Sequence, residues 1–134
     1  MGLDMFAYRT KVQLSKQVDF QEEVYPKNED GSQQDGICEE IMYWRKHPDL
    51  HGWMEKLYYE KGGDSDCFNC VPVEITLKDL DLLEKDIMQD QLPFTEGFFF
   101  GSSDAGPNEK DIAFIQAARE AIAEGDRVFY DSWW

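Results

Sequence analysis

Four side chains in the middle of the chain have the types and spacing of metal ligands. His47 and His51 are separated by three residues, and Cys67 and Cys70 by two. Imidazole and thiolate are the usual ligands of structural zinc, and histidines four positions apart share one face of a helix. Pro48, however, places His47 at the cap of a helix rather than on that face. We therefore expect no metal and no other cofactor here, and interpret the set as two thiols and two unrelated histidines.

A second set combines groups that could bind an anion and transfer a proton. Arg45, Lys46 and His51 supply a guanidinium, an ammonium and an imidazole, and Asp4 could lie nearby in space. Such groups serve phosphate-ester and nucleotide chemistry. In the competing interpretation, His51 is a half-buried histidine at the edge of an apolar helix stripe, while Arg45 and Lys46 face solvent. The sequence leaves both interpretations open.

Ser102 belongs to a third pattern, the segment GFFFGSS at residues 97–103. A Gly-Ser-Ser turn after a strand can present backbone N–H groups to an anion, which makes Ser102 a weak candidate for ligand binding. The segment lacks the lysine and the spacing of a nucleotide-binding loop. We favour the simpler interpretation, a core strand that leaves through a turn. Ser102 and Cys67 are also the two nucleophile candidates that the sequence offers.

Strands at both ends of the chain and helices between them must position these residues. Short or alternating apolar runs predict four strands, at residues 3–12, 71–75, 98–100 and 128–134. Together with the helices they predict one α+β domain over residues 1–134, in which a small, mostly antiparallel sheet is packed by about three helices.

Apolar residues at helical spacing predict three main helices, at 48–61, 76–89 and 108–124. Pro48 suits a first helical position, Thr76 and Asp79 resemble a capping box, and Gly125 lies where a helix terminator is expected. Residues 39–46 are predicted to form a separate short helix, because the residue before a proline is excluded from the helical region.

The charge excludes several classes of function. The 134 residues contain 28 Asp and Glu against 13 Lys and Arg, a formal net charge of −15. This disfavours direct nucleic-acid binding through a basic face and a polybasic membrane anchor. The aromatic content of 14% is typical of a folded protein rather than of an acidic disordered one. The excess of acid is uneven, since residues 1–18 and 41–59 are net positive.

Termini and cysteines suggest a compartment. The N-terminal residues have no apolar run of signal-peptide length, and we expect no membrane-spanning segment and no membrane association. Three cysteines are an odd number, which fits a reducing environment better than a disulfide framework. We therefore expect a cytoplasmic protein.

Four blocks of the sequence carry a resemblance to a known family. They are MGLDMFAY at the start, YWRKHPDLHGW at 43–53, LPFTEGFFFGSS at 92–103 and FYDSWW at the end. The chain resembles a family of small proteins encoded by bacteriophages and scattered bacteria, for which no activity is established. The resemblance implies a phage origin and, with it, the host cytoplasm. His47 and Cys70 depart from the family pattern, which weakens the metal hypothesis.

We favour a non-enzymatic module that binds a basic host or phage protein, in one version as an acidic mimic of nucleic acid. The alternative is a small enzyme or anionic-ligand binder that uses Arg45, Lys46 and His51. Trp133 and Trp134 are expected to dock into the core. If they dock across a neighbouring copy instead, they would form a homodimer contact.

Overall fold

Four antiparallel strands form the sheet around which the protein is built. The computed structural model describes residues 3–32, 34, 36–45, 47–89 and 109–134. The strands are β1 (Asp4–Thr10), β2 (Cys38–Arg45), β3 (Val73–Ile75) and β4 (Arg127–Trp133). Their order in the sheet is β2-β1-β4-β3, so that the first and last strands are the two central ones. The α+β class and the antiparallel pairing are confirmed.

Within the described ranges, four helices accompany the sheet, and three of them are long. They are α1 (Gln21–Val24), α2 (Pro48–Glu60), α3 (Leu77–Met88) and α4 (Glu109–Ala123). The local signals for the long helices are confirmed: Pro48 lies in the first turn of α2, and Thr76 and Asp79 form a capping box at the start of α3. Gly125 follows α4 with a φ of 95°, a conformation that glycine adopts readily. The single turn α1 was not predicted.

The predicted short helix at residues 39–46 is wrong, because residues 38–45 form the edge strand β2. The rule used for the prediction restricts only the residue directly before Pro48, and an extended conformation satisfies it equally well. Ile41, Tyr43 and Trp44 favour a strand, and pairing with β1 decides the outcome. A bulge near Ile41 accommodates one extra residue in β2.

The inner face of the sheet, the side that packs against α2, α3 and α4, carries the main core. Met5 and Ala7 of β1, Trp44 of β2 and Tyr130 of β4 all point into this cluster and are almost fully buried. The helices contribute further core residues, among them Leu50, Met54, Leu80, Leu83, Phe114, Ile115 and Ala118. The expected inward stripe of α4 is present, with Ile112 and Ile122 partly buried at its margins.

The opposite side of the sheet, the outer face, is covered along part of its area. Phe20 and Val24, at and in α1, pack with Phe129 in a second, smaller cluster. Tyr8 and Tyr25 flank that cluster, and the Tyr8 and Phe129 ring centroids lie 5.3 Å apart.

Three predicted features lie outside the described residues: the strand at 98–100, Lys46 and Ser102. Among the helices that the structure describes, none combines the length and the apolar character that a membrane crossing requires.

Candidate functional site

An aromatic patch occupies the outer face beyond the part that α1 covers. Side chains alternate between the two faces of a sheet, so the neighbours of the buried Met5 and Trp44 point outward. Strand register then brings together five outer-face residues, which we call the aromatic patch: Asp4, Phe6, Tyr43, Arg45 and Trp133. Asp4 is opposite Arg45 on β2 and opposite Trp133 on β4, and Phe6 is opposite Tyr43.

Contacts within the patch fix two of its rings. The Phe6 and Tyr43 ring centroids lie 5.2 Å apart at an interplanar angle of 45°. The Tyr43 hydroxyl donates a hydrogen bond of 2.6 Å to Oδ1 of Asp4. This bond and the negative charge of Asp4 raise the pKa of Tyr43, so its hydroxyl stays protonated and continues to donate. The patch is therefore an ordered surface.

The two terminal tryptophans behave differently. Trp134 is docked, as expected: its indole Nε1 donates to the carbonyl oxygen of Phe68 at 2.8 Å. Its backbone N–H donates to Oδ1 of Asn69 at 3.0 Å, and its carbonyl oxygen accepts from Nδ2 of Asn69 at 2.9 Å. Trp133, in contrast, remains 65% exposed on the outer face. The expectation that both indoles dock is correct for Trp134 alone.

A cation already lies against this patch. Nζ of Lys110, in the first turn of α4, is 5.8 Å from the centroid of the Tyr43 ring, within the range of a cation–π interaction. Glu40 lies beside Tyr43 and contributes to the raised pKa of that ring's hydroxyl. The Tyr43 ring thus already accepts one cation, and the charged groups at and beside the patch balance, with Asp4 and Glu40 matched by Arg45 and Lys110.

Asp131 lies at the border between the aromatic patch and the part of the outer face that α1 covers. It pairs with Phe6 in the sheet, is 7% exposed, and accepts a 2.7 Å hydrogen bond from the hydroxyl of Tyr25. Burial raises the pKa of Asp131, and burial together with the Asp131 charge raises the pKa of Tyr25. The pair holds the α1 segment against the sheet.

His51 does not belong to the aromatic patch, because it lies on the inner side of the sheet. It is 1% exposed, and its Nδ1 lies 2.6 Å from the hydroxyl oxygen of Tyr130 on the inner face. Burial lowers the pKa of His51 to about 3 and raises the pKa of Tyr130 well above its usual value. The imidazole is therefore neutral at physiological pH and packed against the Phe68 ring, 4.9 Å between centroids.

His47 belongs to a buried polar cluster rather than to a metal site. Its Nε2 lies 2.8 Å from Oδ2 of Asp111, whose other oxygen accepts from the indole N–H of Trp44 at 2.9 Å. Asp111 is 1% exposed, so these contacts satisfy a carboxylate that burial would otherwise disfavour. Cys67 and Cys70 are both exposed thiols. Within the described ranges, no three side chains from His, Cys, Asp and Glu are grouped as metal ligands.

Among the described residues of the second candidate set, the structure brings Asp4 and Arg45 together and places His51 apart from them. Asp4 and Arg45 are cross-strand neighbours on the outer face, as the second candidate set required. His51 is buried on the inner side, and Lys46 and Ser102 lie outside the described residues.

Sequence reasoning missed the aromatic patch because its members come from three distant segments. The one local signal was the alternation of Asp4, Phe6 and Tyr8 opposite the buried Met5 and Ala7. Asp111 was also missed, since nothing in a helix sequence marks one of its acids as the partner of a distant indole.

When the chain is compared with known protein families, with curated proteins and with solved structures, none of them matches it.

Proposed function

We propose that this is a non-enzymatic protein–protein interaction module whose aromatic patch binds an arginine- or lysine-rich segment of a partner protein. The observation that carries the proposal is the 65% exposure of Trp133 on the same sheet face as Phe6 and Tyr43. Exposed tryptophan and tyrosine beside charged residues are typical of the energetic centres of protein interfaces.

Charge complementarity supports a basic partner. The protein has a formal net charge of −15, which attracts positively charged surfaces and accelerates their encounter. Within the patch, Asp4 adds a carboxylate beside the Tyr43 ring, and Glu40 is near enough to Tyr43 to contribute to the raised pKa of its hydroxyl. Lys110 against Tyr43 is an intramolecular example of the contact that we propose for the partner's cations.

The buried position of His51 supports an interaction role over catalysis. A general base must reach its substrate and exchange a proton near the working pH. His51 is 1% exposed with a pKa lowered to about 3, while Arg45 is exposed on the opposite side of the sheet. Arg45, Lys46 and His51 as a small-anion site therefore remain the second proposal, with less support.

Mimicry of nucleic acid is a narrower form of the same proposal. It needs regularly spaced, unpaired acids, and the acidic residues that could supply them lie mainly in residues 76–90 and 19–40. On α3, however, Arg119 pairs with Asp81 at 2.8 Å and with Glu84 at 3.0 Å. These ion pairs neutralise part of that acidic face, so a peptide-binding surface is better supported than mimicry. If the phage resemblance is correct, the partner is a host or phage protein.

A direct binding experiment tests the proposal. The protein is titrated at low salt with a short peptide in which arginine alternates with threonine, and the indole N–H signals of the four tryptophans are followed by NMR. We expect the Trp133 signal to shift most, and the affinity to fall as salt increases. Trp133→Ala should weaken binding at least about tenfold.

Leu82→Ala provides the matched control, because Leu82 is a 48% exposed apolar residue on α3, away from the patch. It should leave binding unchanged. A peptide with glutamate in place of arginine should not bind. Equal affinity of the Trp133→Ala variant, or a Trp133 shift that depends on protein concentration without peptide, would contradict the proposal; the second result would identify another copy of this chain as the occupant.

A further inference from the structure

The loop between α2 and β3 presents two thiols to solvent around a buried ring. Phe68 is 1% exposed and stacks on Tyr130, with 5.9 Å between ring centroids and 14° between ring planes. Cys67 and Cys70, on either side of the Phe68–Asn69 pair, are both exposed and not in a disulfide. Unpaired cysteine is among the most frequently buried residue types, so two exposed thiols three positions apart are unusual.

The loop backbone turns tightly between the two cysteines. The N–H of Asn69 donates to the carbonyl oxygen of Cys67 at 2.9 Å. Cys70 has a φ of 60°, in the left-handed region that residues other than glycine rarely adopt, and its N–H donates to Ser132 of β4 at 2.8 Å. The two thiols are close enough for the charge of Cys67 to contribute to the raised pKa of Cys70. The surrounding structure therefore holds a strained residue in place.

We propose that Cys67 and Cys70 form a thiol–disulfide redox site, which closes an intramolecular disulfide when it reacts with a small disulfide such as glutathione disulfide. The Cys-x-x-Cys spacing permits this closure, and it recurs in proteins that exchange disulfides. The histidines that a zinc site would need are engaged elsewhere, His47 with Asp111 and His51 with Tyr130.

The reaction balances in two exchange steps. The Cys67 thiolate attacks one sulfur of glutathione disulfide, which forms a protein–glutathione mixed disulfide and releases one glutathione thiolate. The Cys70 thiolate then attacks the Cys67 sulfur, closes the protein disulfide and releases the second glutathione. The protein loses two protons and two electrons, and glutathione disulfide is reduced to two thiols. We assign the first attack to Cys67 because burial raises the pKa of Cys70 and keeps it protonated longer.

The position of the site links it to the C-terminal segment. Asn69 lies inside the ring that the disulfide would close. Its side-chain Nδ2 and Oδ1 both form hydrogen bonds to the backbone of Trp134. Closure would restrict Asn69 and thereby the segment that carries Trp134 and its neighbour Trp133. An effect of oxidation on partner binding would rest on the function proposed above, whereas disulfide formation itself does not.

Mass spectrometry of the intact, folded protein after redox equilibration tests the site. The protein is incubated in glutathione buffers of stepwise rising disulfide content, quenched with an alkylating reagent and digested with trypsin. One tryptic peptide, residues 62–78, contains Cys67 and Cys70, while Cys38 lies in the separate peptide 28–45. We expect peptide 62–78 to lose two hydrogens and become inaccessible to alkylation as the disulfide fraction rises, and peptide 28–45 to stay reduced.

Single variants distinguish the outcomes. Cys67→Ser and Cys70→Ser should each retain one glutathione adduct on the remaining thiol, because the second exchange step is blocked. Cys38→Ser should behave as the wild type. Persistent alkylation of both thiols at high glutathione disulfide, two separate glutathione adducts, or disulfides between protein molecules would overturn the proposal. Any of these results leaves peptide binding by Trp133 untouched as a separate question.

Discussion

His51 and Tyr130 form a buried pair in which the imidazole Nδ1 lies 2.6 Å from the phenolic oxygen. Each group is kept neutral by burial, the histidine by a lowered pKa and the tyrosine by a raised one. A neutral pair exchanges a hydrogen bond without separating charge, which suits an interior position. The pair therefore joins α2 to β4 as part of the core.

The first prediction concerns the titration of His51. Its pKa of about 3 in the folded protein lies below the ordinary value of 6.5, so the unfolded chain binds the proton more tightly. The free energy of unfolding should therefore rise with pH between these two values and keep this contribution in full above 6.5. NMR should show no shift of the His51 ring signals between pH 5 and pH 8. A titration in that range, or an unchanged pH slope of stability in His51→Gln, would contradict the assignment.

The second prediction concerns Asp111, which accepts hydrogen bonds from Trp44 and contacts His47. Asp111→Ala leaves the buried indole N–H without its acceptor and should lower the free energy of unfolding by about 2–3 kcal/mol. Asp111→Asn keeps an oxygen for Trp44 and should cost about half as much. Urea denaturation measures both. If the alanine variant were as stable as the wild type, the Asp111 carboxylate would not be needed as the acceptor for the Trp44 indole N–H.

The third prediction concerns the clamp between Asn69 and the backbone of Trp134. Asn69→Ala removes both hydrogen bonds to the Trp134 backbone and should cost about 1–2 kcal/mol, with faster hydrogen exchange at the Trp134 amide. Asn28→Ala is the control, since the Asn28 side chain is exposed and donates to the Ser32 hydroxyl within a surface loop. It should change stability by less than about 0.5 kcal/mol. Unaltered exchange at Trp134 in the Asn69 variant would argue against the clamp.

The fourth prediction concerns Gly63, which lies against the buried ring of Tyr58. A Cβ at this position would overlap ring atoms of Tyr58, which is fully buried and donates from its hydroxyl to Asp19 at 2.5 Å. Gly63→Ala should therefore destabilise the protein by about 1–3 kcal/mol through overpacking. Thermal unfolding can be compared with Gly31→Ala, whose Cβ would meet nothing within 4 Å. At Gly31 the alanine side chain meets no neighbour, and only the backbone strain at a φ of 88° lowers stability. We therefore expect Gly31→Ala to lose less stability than Gly63→Ala.

Local sequence signals predicted the helices well because their causes are local. A proline at the start of α2, the pair Thr76 and Asp79 at the start of α3 and Gly125 after α4 each act within one helical turn. The edge strand β2 was mispredicted because its conformation depends on pairing with β1, which propensity over eight residues does not encode.

The aromatic patch was beyond local reasoning for a related reason. Phe6, Tyr43 and Trp133 become neighbours only once strand order and register are known. Asp4 and Arg45 were suspected to be close, and the register confirms their proximity. His51 looked reactive by residue type, but its chemistry is set by Tyr130 and by burial, neither of which its own helix reveals.

The central position of β1 and β4 has a consequence for synthesis. Residues 4–10 pair with residues 127–133, so a ribosome makes one central strand at the start of this sequence and the other at its end. Until β4 emerges, β1 can pair only with β2 among the described strands, and β3 lacks the strand with which it pairs. The four-stranded sheet around Met5, Ala7 and Trp44 can therefore be completed only after β4 has been translated, although the three long helices are made before it.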